Sequence, residues 1–238
     1  MNLFGFSFTQ SKSQPKFFNR FLDGFKKAIY PIVFIGFSSA NAGTYEDFFQ
    51  AIEFDQPAVI QSLLQRGFDP NTPDSKGQPA LIAAIRKPAP KVAEVLARWP
   101  KTRLNAQNAH DETPLMMAAF ENQLGLAQLL IDKGADVNKP GWTPLHYAAT
   151  KAHVEMMKLL LAEHAYIDAE SPNKTTPLMM AAHYGNAHAT KLLLDEGADP
   201  TLRNDKDLTA LDFAMNGPDK NSVELVEEGL RRWRAKRQ

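Results

Sequence analysis

The tripeptide Thr-Pro-Leu recurs at a nearly fixed interval, and this period constrains the fold more than any other feature of the chain. It stands at Thr113-Pro114-Leu115, Thr143-Pro144-Leu145 and Thr176-Pro177-Leu178. Degenerate copies, Gln78-Pro79-Ala80 and Thr209-Ala210-Leu211, flank the series, so the steps are 35, 30, 33 and 33 residues. A period of this size marks one repeated supersecondary unit, too small to bury its own apolar face. The fold must therefore be a stack in which each unit is covered by its neighbours.

Within a unit the order reads turn, helix, tight loop, helix, turn. Thr143 is placed to cap the first helix, and Pro144 falls in its first turn, where a missing N–H costs nothing and φ is already helical. Leu145, Ala148 and Ala149 then face inward, the small pair allowing close helix approach. The second helix is more apolar, with Val154, Met157, Leu159, Leu160 and Leu161 in one copy and Leu126, Leu129, Leu130 and Ile131 in the copy before. It ends in Gly at Gly67, Gly134 and Gly197, which supplies a left-handed cap without a Cβ penalty. His164 takes that place in one unit and reads as structural.

Trp142-Thr-Pro-Leu-His-Tyr-Ala-Ala149, followed by Ala152-His153-Val154, resembles a consensus repeat of the ankyrin family, and the resemblance covers about 44–236. It implies an all-α ankyrin-repeat solenoid of about six helix-turn-helix repeats with short β-hairpin turns, at 44–73, 77–108, 111–138, 141–171, 174–204 and 207–236. The chain departs from the family pattern in three places. The His of the fourth motif position survives only as His146, replaced elsewhere by Leu81, Met116, Met179 and Asp212. The turn between Asn138 and Gly141 is three residues short, so one finger is clipped and a notch is expected there. The second repeat lacks the Gly cap and carries Lys87-Pro88-Ala89-Pro90 between its helices.

The first 42 residues read differently. Lys12, Lys16, Arg20, Lys26 and Lys27 against Asp23 make a basic start, then comes the apolar run 28–37, then Ser38-Ser39-Ala40-Asn41-Ala42-Gly43. That order is a secretory signal peptide with cleavage after Ala42, leaving 43–238 as the repeat domain. The alternative is an uncleaved N-terminal membrane anchor, although the run is short of the roughly 20 residues a spanning helix needs. The expected location is periplasmic or secreted, with no stable membrane insertion after leader removal. Residues 43–238 hold 22 Lys and Arg against 26 Asp and Glu, and a net charge of −4 argues against nucleic acid as a partner.

Nothing in the chain assembles a catalytic site or a cofactor site. Phosphate-loop, dinucleotide and nucleophile-elbow patterns are absent, and with no Cys there is neither a thiol nucleophile nor a thiolate metal site. The six His residues are not at metal-ligand spacing, and the pairs Met116-Met117 and Met179-Met180 read as core filler. The basic tail from Arg231 to Arg237 reads either as a solvated helix end or as a docking patch.

The resemblance also implies a non-catalytic, monomeric scaffold that binds another protein, with an inhibitor or immunity-type binder as its narrower form. The family's variable positions, just before Thr-Pro-Leu and just after the Ala pair, fall on His110, Asp111, Glu112, Lys174, Thr175, Glu121 and Thr150. They also fall on the candidate contacts Phe120, Trp142, Lys151, His183 and Tyr184. The groove side of the first helices adds Tyr147, with Met117 and Met180. Because large aromatics anchor interfaces, the same surface admits a second reading as a site for a small ligand or cell-wall glycan.

Overall fold

The structure, a computed structural model, describes residues 39–236. Among the described residues twelve helices follow one another as six consecutive pairs: α1 Ser39–Glu53 with α2 Pro57–Gln65, α3 Ala80–Arg86 with α4 Pro90–Arg98, and α5 Pro114–Phe120 with α6 Leu124–Asp132. The series continues with α7 Pro144–Thr150 and α8 Val154–Ala162, α9 Pro177–Tyr184 and α10 Ala187–Asp195, then α11 Ala210–Asn216 and α12 Asn221–Ala235. Most of the leader expected at 1–42 lies outside the described residues, and the expected cleavage point after Ala42 falls within α1.

First helices pack on first helices, and second helices on second helices, so the core runs along the stack. Leu115, Leu145 and Leu178 of the repeated tripeptide are wholly buried, as are Leu130, Leu160 and Leu193 of the second helices. Full burial of one such side chain stabilises by roughly 1.5–3 kcal/mol. The Ala pairs do let backbones approach closely. A Cβ added at Gly185, after α9, would lie 2.7 Å from the carbonyl oxygen of Ala149 in the preceding repeat.

Caps follow the sequence pattern. Pro114, Pro144 and Pro177 each open a helix. His164 holds φ +64° where Gly134 and Gly197 hold +92° and +97°. In the second repeat, Trp99 is extended because Pro100 follows it.

Two rows of hydrogen bonds tie repeat to repeat. On one side, an Asx side chain accepts a backbone N–H from the following unit: Arg103 N to Asn71, Asp136 N to Asn105, Tyr166 N to Asn138 and Asp199 N to Asp168, at 2.7 to 3.0 Å. On the other side, the loops between helices are pinned by Val92 N to Asp55, Gln123 Nε2 to Ile85 O and His153 Nε2 to Phe120 O.

The expected β-hairpins are reduced to turns. Among the described residues no strand forms, and an isolated bridge joins Pro73 and Pro79. Each full finger is closed by two backbone bonds at its tip, such as Asn108 N to Glu112 O with Asp111 N to Asn108 O, or Ser171 N to Thr175 O with Lys174 N to Ser171 O, and no further pairing extends them into a ladder.

Candidate binding surface

The fingers are positioned by their own side chains. Asn108 Oδ1 accepts the backbone N–H groups of His110 and Glu112 at 2.9 and 3.1 Å. Asp74 and Asn204 do the same in their fingers, and Ser171 Oγ accepts from Thr175 N. In the fourth repeat the three missing residues include this turn-forming residue. Asn138 keeps only the inter-repeat role, with Nδ2 donating to His164 O at 2.8 Å. Gly141 makes the remaining bend at φ +84°, with Pro172 of the next finger against it. One side of the expected notch is therefore occupied by the chain itself.

Behind the clipped finger, α7 is locked by His146. Its Nε2 is 2.9 Å from the carbonyl oxygen of Thr175, so Nε2 must donate. Nδ1 is then the acceptor, taking the Thr143 hydroxyl at 2.8 Å and the Thr143 N–H at 3.2 Å. The ring is neutral and completely buried, and burial pulls its pKa down to about 4. Trp142 stands edge-on to this imidazole, with ring centres 5.1 Å apart.

The third and fourth repeats share a second cluster. Glu112, itself buried, accepts from Asn108 Nδ2 at 2.7 Å through one oxygen and from the Tyr147 hydroxyl at 3.1 Å through the other. Burial is the main cause that raises the Tyr147 pKa, helped by the Glu112 charge, so the phenol stays protonated and donating. Phe120 meets the Tyr147 ring edge-on at 6.0 Å, and Lys151 Nζ lies 4.7 Å above the centre of the Phe120 ring. A finger, two first helices and an exposed cation are thus held in one arrangement spanning two repeats.

His183 and Tyr184 form a separate group toward the last repeat. His183 Nδ1 donates to Phe213 O at 3.1 Å, while Tyr184 packs edge-on to His183 and is 42% exposed. Burial lowers the His183 pKa and raises that of Tyr184.

The six sequence-derived candidates therefore divide into Phe120 with Tyr147 and Lys151, Trp142 on His146, and His183 with Tyr184. Lys151 and Tyr184 are exposed, Phe120, Trp142 and His183 are half-buried, and Tyr147 is 9% exposed. Two expectations need correction. Met117 and Met180, placed on the groove side, are buried like their partners Met116 and Met179, because a neighbouring first helix covers both flanks. Glu112 and Thr175, placed among the variable reading positions, are also buried. Glu112 anchors the cluster, a role its spacing of four from Asn108 hinted at but did not distinguish from exposure.

Among the described residues, no group of three or more His, Cys, Asp or Glu residues could hold a metal ion. Likewise, none of their helices is long and apolar enough to cross a membrane.

The chain matches the family described as Ankyrin repeats (3 copies) over residues 48–140, 91–172 and 145–230. It is 31% identical over 159 residues to the ankyrin repeat and SAM domain-containing protein 6 of Rattus norvegicus, a match covering 66% of this chain and 15% of that protein. It resembles an ankyrin repeat domain of Acinetobacter baumannii with a TM-score of 0.66 and 25% identity, over 76% of this chain and 96% of that one. It also resembles a chain in the complex of the predatory endopeptidase Bd0816 of Bdellovibrio bacteriovorus with immunity protein Bd3460. There the TM-score is 0.66 at 26% identity, over 77% of this chain and 97% of that one. With its helix pairs, capping threonines and inter-repeat hydrogen bonds, the chain belongs to the ankyrin-repeat family.

Proposed function

We propose that this chain is an exported, non-catalytic scaffold whose groove over repeats three to five holds another protein, acting as an inhibitor or immunity-type binder. The observation that carries the reading is the cluster of Phe120, Tyr147 and Lys151 on the buried Glu112. It presents ring and cation in a fixed arrangement, which lowers the ordering cost of binding. Tyr184 and Trp142 add aromatic surface on either side of Lys151 in the sequence. The inhibitor form is supported by the likeness to a chain from an endopeptidase–immunity protein complex. Export is supported by the basic, apolar and Ala-x-Ala order of residues 1–43. The working unit is a monomer, located in the periplasm or outside the cell.

The test is calorimetric titration of the purified partner enzyme against Trp142→Ala and Tyr184→Ala, with folding checked by circular dichroism. Loss of at least about 2 kcal/mol of affinity from one of them supports the reading. Undiminished affinity in the double variant overturns the groove assignment. Saturable binding of cell-wall glycan fragments, with no protein held, favours the small-ligand reading instead. Export is read separately by mass spectrometry, with the N-terminus expected at Gly43 and an intact Met1 contradicting cleavage.

A further inference from the structure

The junction between the first two repeats departs from the rest of the array at the ends of the second helices, away from the groove. The inter-repeat hydrogen bonds identify equivalent positions. The residue whose N–H reaches the Asx acceptor of the preceding repeat is Asp136 in the third unit, Tyr166 in the fourth and Asp199 in the fifth. In the second unit it is Arg103, a reversal of charge. The Gly cap is also missing there, and Trp99, Pro100 and Lys101 stand in its stead. A cleft of about 370 Å³ lies here, within the size range of small-ligand sites.

Its walls combine Phe68, Pro70 and Trp99 with Lys101, Arg103 and Asn71. The Asn71 amide is consumed by framework bonds to Lys101 O and Arg103 N, so the two loops are tied in place. Asp69 also lines the cleft, but its Oδ1 is held by Asn71 N and Nδ2, both at 2.9 Å. The Lys101 ammonium and the Arg103 guanidinium have no acidic partner at ion-pair distance among the described residues. Two exposed cations and one carboxylate thus line the same cleft as Trp99, which leaves the lining net positive on a body of net negative charge.

We propose that this cleft binds a small ligand bearing a carboxylate or phosphate on a flat or apolar body, with the anion on Lys101 and Arg103 and the body against Trp99. The site is independent of the groove.

Trp99 provides the readout. In a Trp142→Phe, Trp233→Phe background, its fluorescence is titrated with benzoate, with glycerol 1-phosphate and with neutral benzyl alcohol. The Trp99 indole resonance of the unsubstituted chain gives the same information should that background not fold. A saturable change with benzoate or glycerol 1-phosphate is expected. It should weaken at least tenfold with Lys101→Ala plus Arg103→Asp, the latter introducing the Asp that the third and fifth repeats carry at this place, and it should weaken with salt. A response to benzoate identifies a carboxylate on a planar body, and a response to glycerol 1-phosphate a headgroup-type phosphate. No saturable change with either anion, equal binding by the double variant, or equal binding of benzyl alcohol overturns the proposal.

Discussion

His146 should make the stability of this array depend on pH well above the carboxylate range. The imidazole is fully buried and neutral, and burial brings its pKa from 6.5 to about 4. In the unfolded chain it binds a proton near its ordinary value, so below that value the unfolded state holds more protons. The stabilisation is complete above the unfolded pKa and is lost as pH falls toward the folded one. A difference of about 2.5 pKa units corresponds to about 3 kcal/mol in full, of which about 2 kcal/mol is lost between pH 7 and pH 5. His183, also lowered by burial, adds in the same direction. Asp168, raised by burial, opposes both. The contribution of His146 is therefore isolated by comparing wild type with His146→Gln. Urea unfolding at intervals between pH 7 and pH 5 should show the variant less stable at pH 7 but with a slope flatter by about 1 kcal/mol per pH unit near pH 5.5. Equal slopes in the two proteins, or an imidazole that titrates near 6.5 by NMR, would refute the assignment of a buried neutral ring.

Four further outcomes follow from the packing. Leu160→Ala empties a fully buried place and should cost roughly 2–5 kcal/mol in urea unfolding. Lys151→Ala removes an exposed cation over Phe120 and should cost only about 0.5 kcal/mol in the same assay. Tyr147→Phe leaves one oxygen of buried Glu112 without its donor and should cost about 1–3 kcal/mol by thermal or urea unfolding. Gly185→Ala drives a methyl group against the Ala149 and Ala181 carbonyl oxygens, and a loss of about 1–3 kcal/mol is expected by calorimetry.

Much of this architecture was legible because it rests on local chemistry that repeats. Threonine before proline, the Ala pair, the apolar second helix and the glycine cap each state a backbone requirement at a fixed register. Even His164 in a glycine place could be read that way, and its φ of +64° agrees. Burial within the groove was less legible. Periodicity distinguishes the inner face of a helix from the outer face, but Met117 and Met180 lie on flanks that the neighbouring first helices cover. The same limit applies to Glu112, whose buried state depends on a tyrosine hydroxyl 35 residues away. The short fingers were expected as hairpins, yet their backbone bonds stay at the tip and do not propagate a strand pair. The basic tail is partly structural, since Arg232 reaches Asp195 of the preceding repeat at 3.3 Å.

The groove and the exposed side of the second helices are the two faces of the array to be compared for contact with another protein. A photo-crosslinking amino acid placed at Tyr184 on the groove, and in a second chain at Lys158 on the exposed side of α8, compares the two faces directly in the native compartment. The groove reading predicts one dominant adduct from position 184, of defined mass and absent from position 158, whose trapped protein binds the purified chain with reduced affinity for Tyr184→Ala. Adducts from position 158 alone, or the same adducts from both positions, would contradict it.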